Sequence, residues 1–295
     1  MKAYLLISRL RIHNANAMSS TLTIGVPAMT AWLGAVHALE RKLGERREPA
    51  LEGIRLVKTA VSYHKTNLQI YKGLGDYVNS LVGTANPLNE KGERPSFIED
   101  ARIHLSVSLL IEVERVDGNN MELLEQAVKE ILPRMKMAGG DILDIRKIQV
   151  MRIDEDNPMS VRKVIFTLMP GYIPIERRDL MEAKELEGKD SLDRLIHYLK
   201  VHQMAEKDES GKVTDWKYEK AAAGWIAPLA VGFKGLSPLG KVKNQRDPDA
   251  PHRFAESIII LGEFKMAHRF RDIDEMMWHY AYEETNQLYL CKNQE

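Results

Sequence analysis

One cysteine, Cys291, occurs in 295 residues. That excludes a disulfide framework and a CxxC zinc knuckle, and it points to a reducing compartment. No run of 18 uncharged apolar residues is present either, so no membrane partner is expected and the chain reads as soluble and cytoplasmic. There is no excess charge of either sign: 42 Lys and Arg stand against 42 Asp and Glu. Such a balance leaves no molecule-wide field to gather nucleic acid, so any polyanion site has to be local. No GxxxxGK followed by Ser or Thr, no HxxxH, no carboxylate pair and no Ser-His-Asp set stands out. Phosphate-loop, metal and triad chemistry are therefore disfavoured, and no catalytic residue, metal or cofactor is expected.

What is present is a chain long enough to bury about three quarters of its unfolded surface, with clear periodicity in its first half. In AYLLISRLRIHNA the even positions Leu6, Leu10 and Ile12 are apolar while Arg9, Arg11 and His13 make the odd face basic, the pattern of a strand with one buried face. A helix is expected from Pro27, with Trp32, Val36, Leu39 and Leu43 at helical spacing and Gly44 closing it. GIRLVKTAVSYHKTNLQIY is β-branched and aromatic enough for a long, bent strand. The clearest strand is RIHLSVSLLIEVERV, where Ile103, Leu105, Val107, Leu109, Ile111 and Val113 alternate with Arg102, His104, Ser106 and Ser108. NMELLEQAVKEILPRMKMAGG reads as an amphipathic helix with a capping box from Asn119 to Glu122, and DILDIRKIQVMRI as a fourth strand.

The order β-α-β-β-α-β over residues 1–153 is that of an α+β, ferredoxin-like (RRM-like) unit, with two helices on one sheet face and the other face open. The open face is expected to carry Arg9, Arg11, His13, Arg102 and His104. It lacks the aromatic pairs on which RNA-recognition motifs stack bases. The segment Lys72 to Asp100 is far longer than an ordinary hairpin loop and reads as a projecting, ordered hairpin. Residues 154–295 form an elaborated C-terminal extension packed on the first unit, with a helix in 190–207 and MMWHYAY at 276–282 as a docked C-terminal helix. Within this extension the glycine-rich loop 232–246 brings Lys234, Lys241, Lys243 and Arg246 together without an acid. Gly232, Gly235 and Gly240 permit a tight turn whose amides can cradle phosphate.

These blocks resemble a known family. RLRIHNANAMSS, VHALERKLG, RIHLSVSLLIEV, KMAGGDIL, LMPGY, GWIAPLAVGFKGLSPLG and KVKNQRDPDAPHRFAESIIILGEF follow one another from Ser8 to Phe264. They do so in the same order as in the second Csy subunit of type I-F CRISPR surveillance (Csy, or Cascade) complexes, the Cas-five-type member of the RAMP group. The resemblance implies a ferredoxin-like RAMP domain with a thumb, matched here by the insertion at about 72–100. It further implies a non-catalytic subunit of antiviral defence that holds the 5′ handle of the CRISPR RNA and pairs with the large subunit at the complex tail. Backbone subunits, and indirectly target DNA near the protospacer-adjacent motif, are the other implied partners. The stretch MRIDEDNPMSVRK is shorter and less basic than the family pattern. Relatives in other subtypes cut precursor RNA without metal. Endoribonuclease chemistry at His13, His37, His64 or His104 and a scaffold-only role therefore stand as alternatives.

On the RNA-holding reading, Ala15, Ala17, Ser19 and Ser20 let phosphates and sugars approach, while Asn14 and Asn16 offer amides to base edges or 2′-hydroxyls. Arg9, Arg11 and His13 face phosphates, and the start of the helix from Pro27 adds positive potential. Lys234, Lys241, Lys243, Asn244, Arg246 and Arg253 line the second patch. Asn14 and Asn16 as turn formers, and the lysines as ordinary solvated side chains, are the structural alternatives.

Overall fold

The computed structural model describes residues 1–83, 87–94, 100–183, 186–245 and 247–293. The chain runs β1 (Lys2–Asn16), α1 (Met29–Glu45), β2 (Arg55–Leu68), β3 (Ile70–Tyr71), β4 (Ser80–Leu81), β5 (Arg102–Glu114), α2 (Met121–Ile131), β6 (Lys136–Met137), β7 (Gly140–Asp144) and β8 (Lys147–Ile153). It continues through α3 (Pro158–Thr167), β9 (Tyr172–Glu176), α4 (Arg178–Met181), α5 (Ser191–Leu199), β10 (His202–Lys207), β11 (Val213–Glu219), β12 (Ile226–Gly235), β13 (Ala255–Met266), β14 (His279–Glu283) and β15 (Leu288–Lys292). Among the described residues 11 strands join one antiparallel sheet in the order β14-β15-β12-β13-β9-β2-β5-β1-β7-β6, with β8 also paired to β1. The architecture is α+β. The second half of the chain continues the first half's sheet, through a bridge between Tyr63 and Tyr172.

Burial explains the sheet's placement. The alternating residues of β5, together with Leu5, Ile7, Leu10 and Ile12 of β1, pack against Trp32, Val36, Leu39 and Leu43 of α1 and Leu124 and Val128 of α2. Each such side chain removed from water stabilises the fold by about 1.5–3 kcal/mol. The opposite face is not open throughout. Tyr4, Leu6, Ala60 and Leu110 are covered by Val161, Val164 and Ile165 of α3 and by Phe270, Ile273 and Met276. The end of that face carrying Arg11, His13, Arg102 and His104 reaches solvent.

Several sequence expectations change. A register shift in β1 between Ile7 and Leu10 puts Leu6 on the opposite face from Leu10 and Ile12, and a second shift follows between Ile12 and Ala15. The expected fourth strand is two strands, β7 beside Arg11 to His13 and β8 beside Lys2 to Ser8, because β1 bends where its pairing shifts. Helix α1 begins at Met29 rather than Pro27 and runs through Gly44, and Asn119 makes no capping box. Asn120 is the N-cap of α2, its side chain accepting from Asp117 N at 3.0 Å. The segment 276–282 is no helix. Trp278 bridges to Thr59, and Tyr280 and Tyr282 lie in β14, paired with β15 across a tight turn at Gln287. The helix expected in 190–207 stops at Leu199, and His202 onward forms the hairpin β10–β11. In the insertion expected from Lys72 to Asp100, β4 pairs with β3, which lies just before it; residues 84–86 and 95–99 lie outside the described residues.

Candidate nucleic-acid interface

Two bulges shape the end of β1. At the first, Arg9 takes a left-handed conformation (φ 54°) and its N–H donates to Ser108 Oγ at 3.1 Å. Its guanidinium donates to the Met169 carbonyl at 2.9 Å, so Arg9 is half-buried and tied into the fold. Ser108 Oγ also lies 2.7 Å from His64 Nε2, and His64 Nδ1 lies 2.6 Å from the Pro170 carbonyl. A carbonyl only accepts, so Nδ1 carries the proton and Nε2 accepts from the serine hydroxyl. The pair imitates a nucleophile and its base. Ser108, however, is fully buried and already accepts from Arg9, so it cannot meet a substrate and acts as a clamp between strands. Burial holds the His64 pKa below its ordinary value, against an upward pull from the Pro170 bond, and nearby Arg9 lowers it further.

At the second bulge Asn14 is left-handed (φ 55°), a conformation asparagine tolerates better than most residues. Its N–H donates to His104 Nδ1 at 3.1 Å, and the His13 and His104 rings stack with centroids 3.9 Å apart. Arg102 reaches the Asn14 carbonyl at 3.5 Å and pairs with Asp100. Arg11 is exposed and makes no ion pair among the described residues, although Asp144 is its cross-strand neighbour. Lys136 instead neutralises Asp141, opposite His13, at 2.8 Å. Arg11, His13, Asn14, Arg102 and His104 therefore share one strand end.

The small residues after Asn14 do something other than expected. Ala15 and Ala17 are fully buried, and the chain passes close to its neighbours there, Asn16 N donating to Ala138 O at 2.9 Å and Ala17 N to Ala101 O at 2.8 Å. They are small because backbones approach, not to admit RNA. The Asn16 side chain bonds Met18 N at 3.0 Å and Met18 O at 3.2 Å, a turn-forming role. Ser20 is buried with its hydroxyl 2.7 Å from Thr23 Oγ1, and Ser19 Oγ, half-buried, is 2.8 Å from the same atom. Sequence reading missed Gly140. A Cβ there would stand 2.6 Å from the His13 carbonyl and 2.7 Å from Ala15 N, so the bulge requires glycine; the AGGDIL glycine pair was the available signal.

The second patch is separate. Lys234, Lys241, Lys243 and Asn244 are exposed, Arg253 lies across Gly235, and Arg246 falls outside the described residues. Arg253 Nε and His252 Nδ1 are shielded from solvent without a partner among the described residues. This loop leaves β12 at Gly235, whereas Ala227 and Pro228 near the strand's start lie by the Ser19–Val26 loop. Seven residues of strand separate the two, roughly 20 Å. The fold does not bring the patches together. Among the described residues no group of three or more His, Cys, Asp or Glu is placed to hold a metal, and no helix is long and apolar enough to cross a membrane.

Two comparisons bear on this geometry. A family model described as CRISPR-associated protein (Cas_Csy2) matches residues 5–291. The CRISPR-associated protein Csy2 of Pseudomonas aeruginosa (strain UCBPP-PA14) is 31% identical over 314 aligned positions, covering 98% of this chain and 94% of that relative.

Proposed function

The chain belongs to the Csy2 family of CRISPR-associated proteins, and from that premise we propose that it is a non-catalytic subunit of a type I-F CRISPR surveillance complex in the cytoplasm. It binds the 5′ handle of the CRISPR RNA and pairs with the large subunit at the complex tail, next to the backbone subunits and to target DNA near its protospacer-adjacent motif. The observation that carries the reading is the exposed face at the end of β1. On a chain with no net charge, an Arg11 with no ion pair among the described residues, two stacked imidazoles and a left-handed Asn14 stand together at one solvent-facing strand end. Arginine and imidazolium suit phosphates, and the Asn14 amide suits a base edge or a 2′-hydroxyl. The exposed lysines after Gly235 offer a second, distant contact along an extended RNA.

The order β2-β5-β1-β8 with α1 and α2 on one face supports a ferredoxin-like RAMP unit within the larger sheet. The ribbon β3–β4, with Tyr71, Leu74, Tyr77 and Val78 exposed around it, supports a thumb. Burial of Ser108 supports a holding rather than a cutting role. The test is co-purification of the chain with its large partner, sequencing of the bound RNA, and incubation of the isolated chain with precursor RNA in chelator. Enrichment of the handle with no cleavage product is expected. Cleavage that disappears in His13→Ala or His104→Ala would replace this reading with the nuclease one, and equal recovery of the partner with and without RNA would favour a scaffold.

A further inference from the structure

Near the end of β1, on the helix side of the sheet, an open cavity of about 430 Å³ lies between the Ser19–Val26 loop and strands β2, β9 and β12. One wall is aromatic. Tyr172 meets Trp225 edge to face at 5.1 Å, Trp225 meets Phe264 at 5.2 Å, and Phe264 meets Tyr63 at 5.9 Å. Tyr63 is itself anchored, its hydroxyl accepting from Trp32 Nε1 at 2.7 Å, so the wall is rooted in the core. Yet Trp225 is 54% exposed and Tyr172 38%. The facing wall is a preorganised loop of mixed character, Ser19, Thr23, Ile24, Gly25 and Val26: the Ala17 carbonyl accepts from Ser19 N at 3.1 Å and Gly25 N at 2.9 Å, and Thr23 bonds Ser19 and Ser20. Lys65 and Thr66, both exposed, are among the lining residues; among the described residues no Asp or Glu lines the cavity and Lys65 makes no ion pair.

We propose that this cavity holds one unstacked base of a single-stranded RNA, stacked on Trp225, with its phosphate toward Lys65. A planar ligand with apolar faces, a hydrogen-bonding rim and one negative charge matches an aromatic wall, a loop that sets the Ser19 and Thr23 hydroxyls among apolar side chains, and the exposed Lys65. The proposal rests on the RNA-holding reading and adds a subsite to it. The cavity's Tyr63, Ile103 and Phe264 belong to the helix-side core, so an RNA lying on Arg11 and His13 of the opposite sheet face would have to pass round the sheet end, past the loop after Ala17, to enter it. An apolar side chain of a protein partner is the competing occupant; the absence of acids and the unpaired lysine favour the nucleotide.

The experiment uses the full chain. In a Trp216→Phe background, Trp32 and Trp278 are fully buried, so ligand-dependent quenching reports Trp225. Saturable quenching by nucleoside 5′-monophosphates and by a short single-stranded RNA of mixed sequence is expected. By anisotropy of labelled RNA, Trp225→Ala should weaken binding roughly 5- to 150-fold, the range for one base-aromatic stack. Trp225→Phe should keep most of the affinity, and Lys65→Ala should flatten the slope of log affinity against log salt by about 0.7. Unchanged RNA affinity in a folded Trp225→Ala overturns the cavity proposal while leaving the handle reading intact. Quenching by monophosphates without RNA binding overturns the handle reading and, with it, the RNA occupant. Loss of the large subunit in Trp225→Ala with unchanged RNA affinity makes the cavity a protein socket and overturns the proposal.

Discussion

His13 lies flat on His104, ring centroids 3.9 Å apart and planes 21° from parallel, while the Asn14 N–H holds His104 Nδ1 at 3.1 Å. Two imidazoliums repel at that distance, and protonating Nδ1 would cost the Asn14 bond. Burial, and then the neighbouring His13, hold the His104 pKa below its ordinary value in the free chain. A phosphate against the pair favours the charged form, so binding takes up protons. Affinity for handle RNA should rise as pH falls from about 7.5 to 5.5, by no more than tenfold per pH unit for each proton taken up. Anisotropy across that range should show the rise in wild type and a flatter profile in His13→Ala. A flat wild-type profile would remove the histidines from the interface.

Without RNA the same groups act in the opposite sense on stability. His64 and His104 both have lowered pKa values in the fold. The unfolded chain therefore binds more protons once pH drops through the ordinary imidazole value of about 6.5. Their contribution is complete above that value and is lost as pH falls toward the folded-state pKa. The urea midpoint at pH 5 should lie below that at pH 7.5; a higher midpoint at pH 5 would contradict the assignment.

Gly140→Ala should damage the end of β1 from the neighbouring strand. Its new methyl group would meet backbone atoms of His13 and Ala15, which cannot swing aside as a side chain would. Overpacking of this kind costs about 1–3 kcal/mol. Thermal unfolding should show the loss, and RNA binding should weaken although residue 140 touches no RNA. Normal melting would mean that β1 can shift its bulge.

Arg9 and Arg11, alike in sequence, should part in experiment. Arg11→Ala removes an exposed cation without a partner among the described residues and should flatten the salt slope of RNA affinity by about 0.7 with unchanged melting. Arg9→Ala leaves the Met169 carbonyl without its donor and should cost about 1–3 kcal/mol of stability. Asn14→Gly keeps the left-handed backbone but drops the amide, so the salt slope should stay while discrimination between handle and scrambled RNA falls. A salt slope that responds to Arg9 but not to Arg11 would reverse the assignment.

Strand β5 was legible because its alternation is uninterrupted: every apolar residue from Ile103 to Val113 on that parity lies in the helix-side core. Strand β1 was legible only in part. Its parity changes at Arg9 and Asn14, and a bulge is a single residue held by a partner strand, here by Ser108 and His104, with no mark in local composition. Ala15 and Ala17 misled for the same reason, since a small residue looks alike whether a ligand or a neighbouring backbone comes close.

The sequence by itself determined the α+β content, the pattern of apolar residues that buries the central strands, the local rather than global basicity, and the order of blocks that marks the family. Only the tertiary structure decided that Arg9 is tied into the fold while Arg11 and His13 stay with Arg102 and His104 on the exposed strand end, that the glycine-rich basic loop lies elsewhere, and that Tyr172, Trp225 and Phe264 make one wall. Such meetings depend on the pairing register of strands far apart in the chain. Register is set by burial along whole strands at once, and no window of sequence contains both partners.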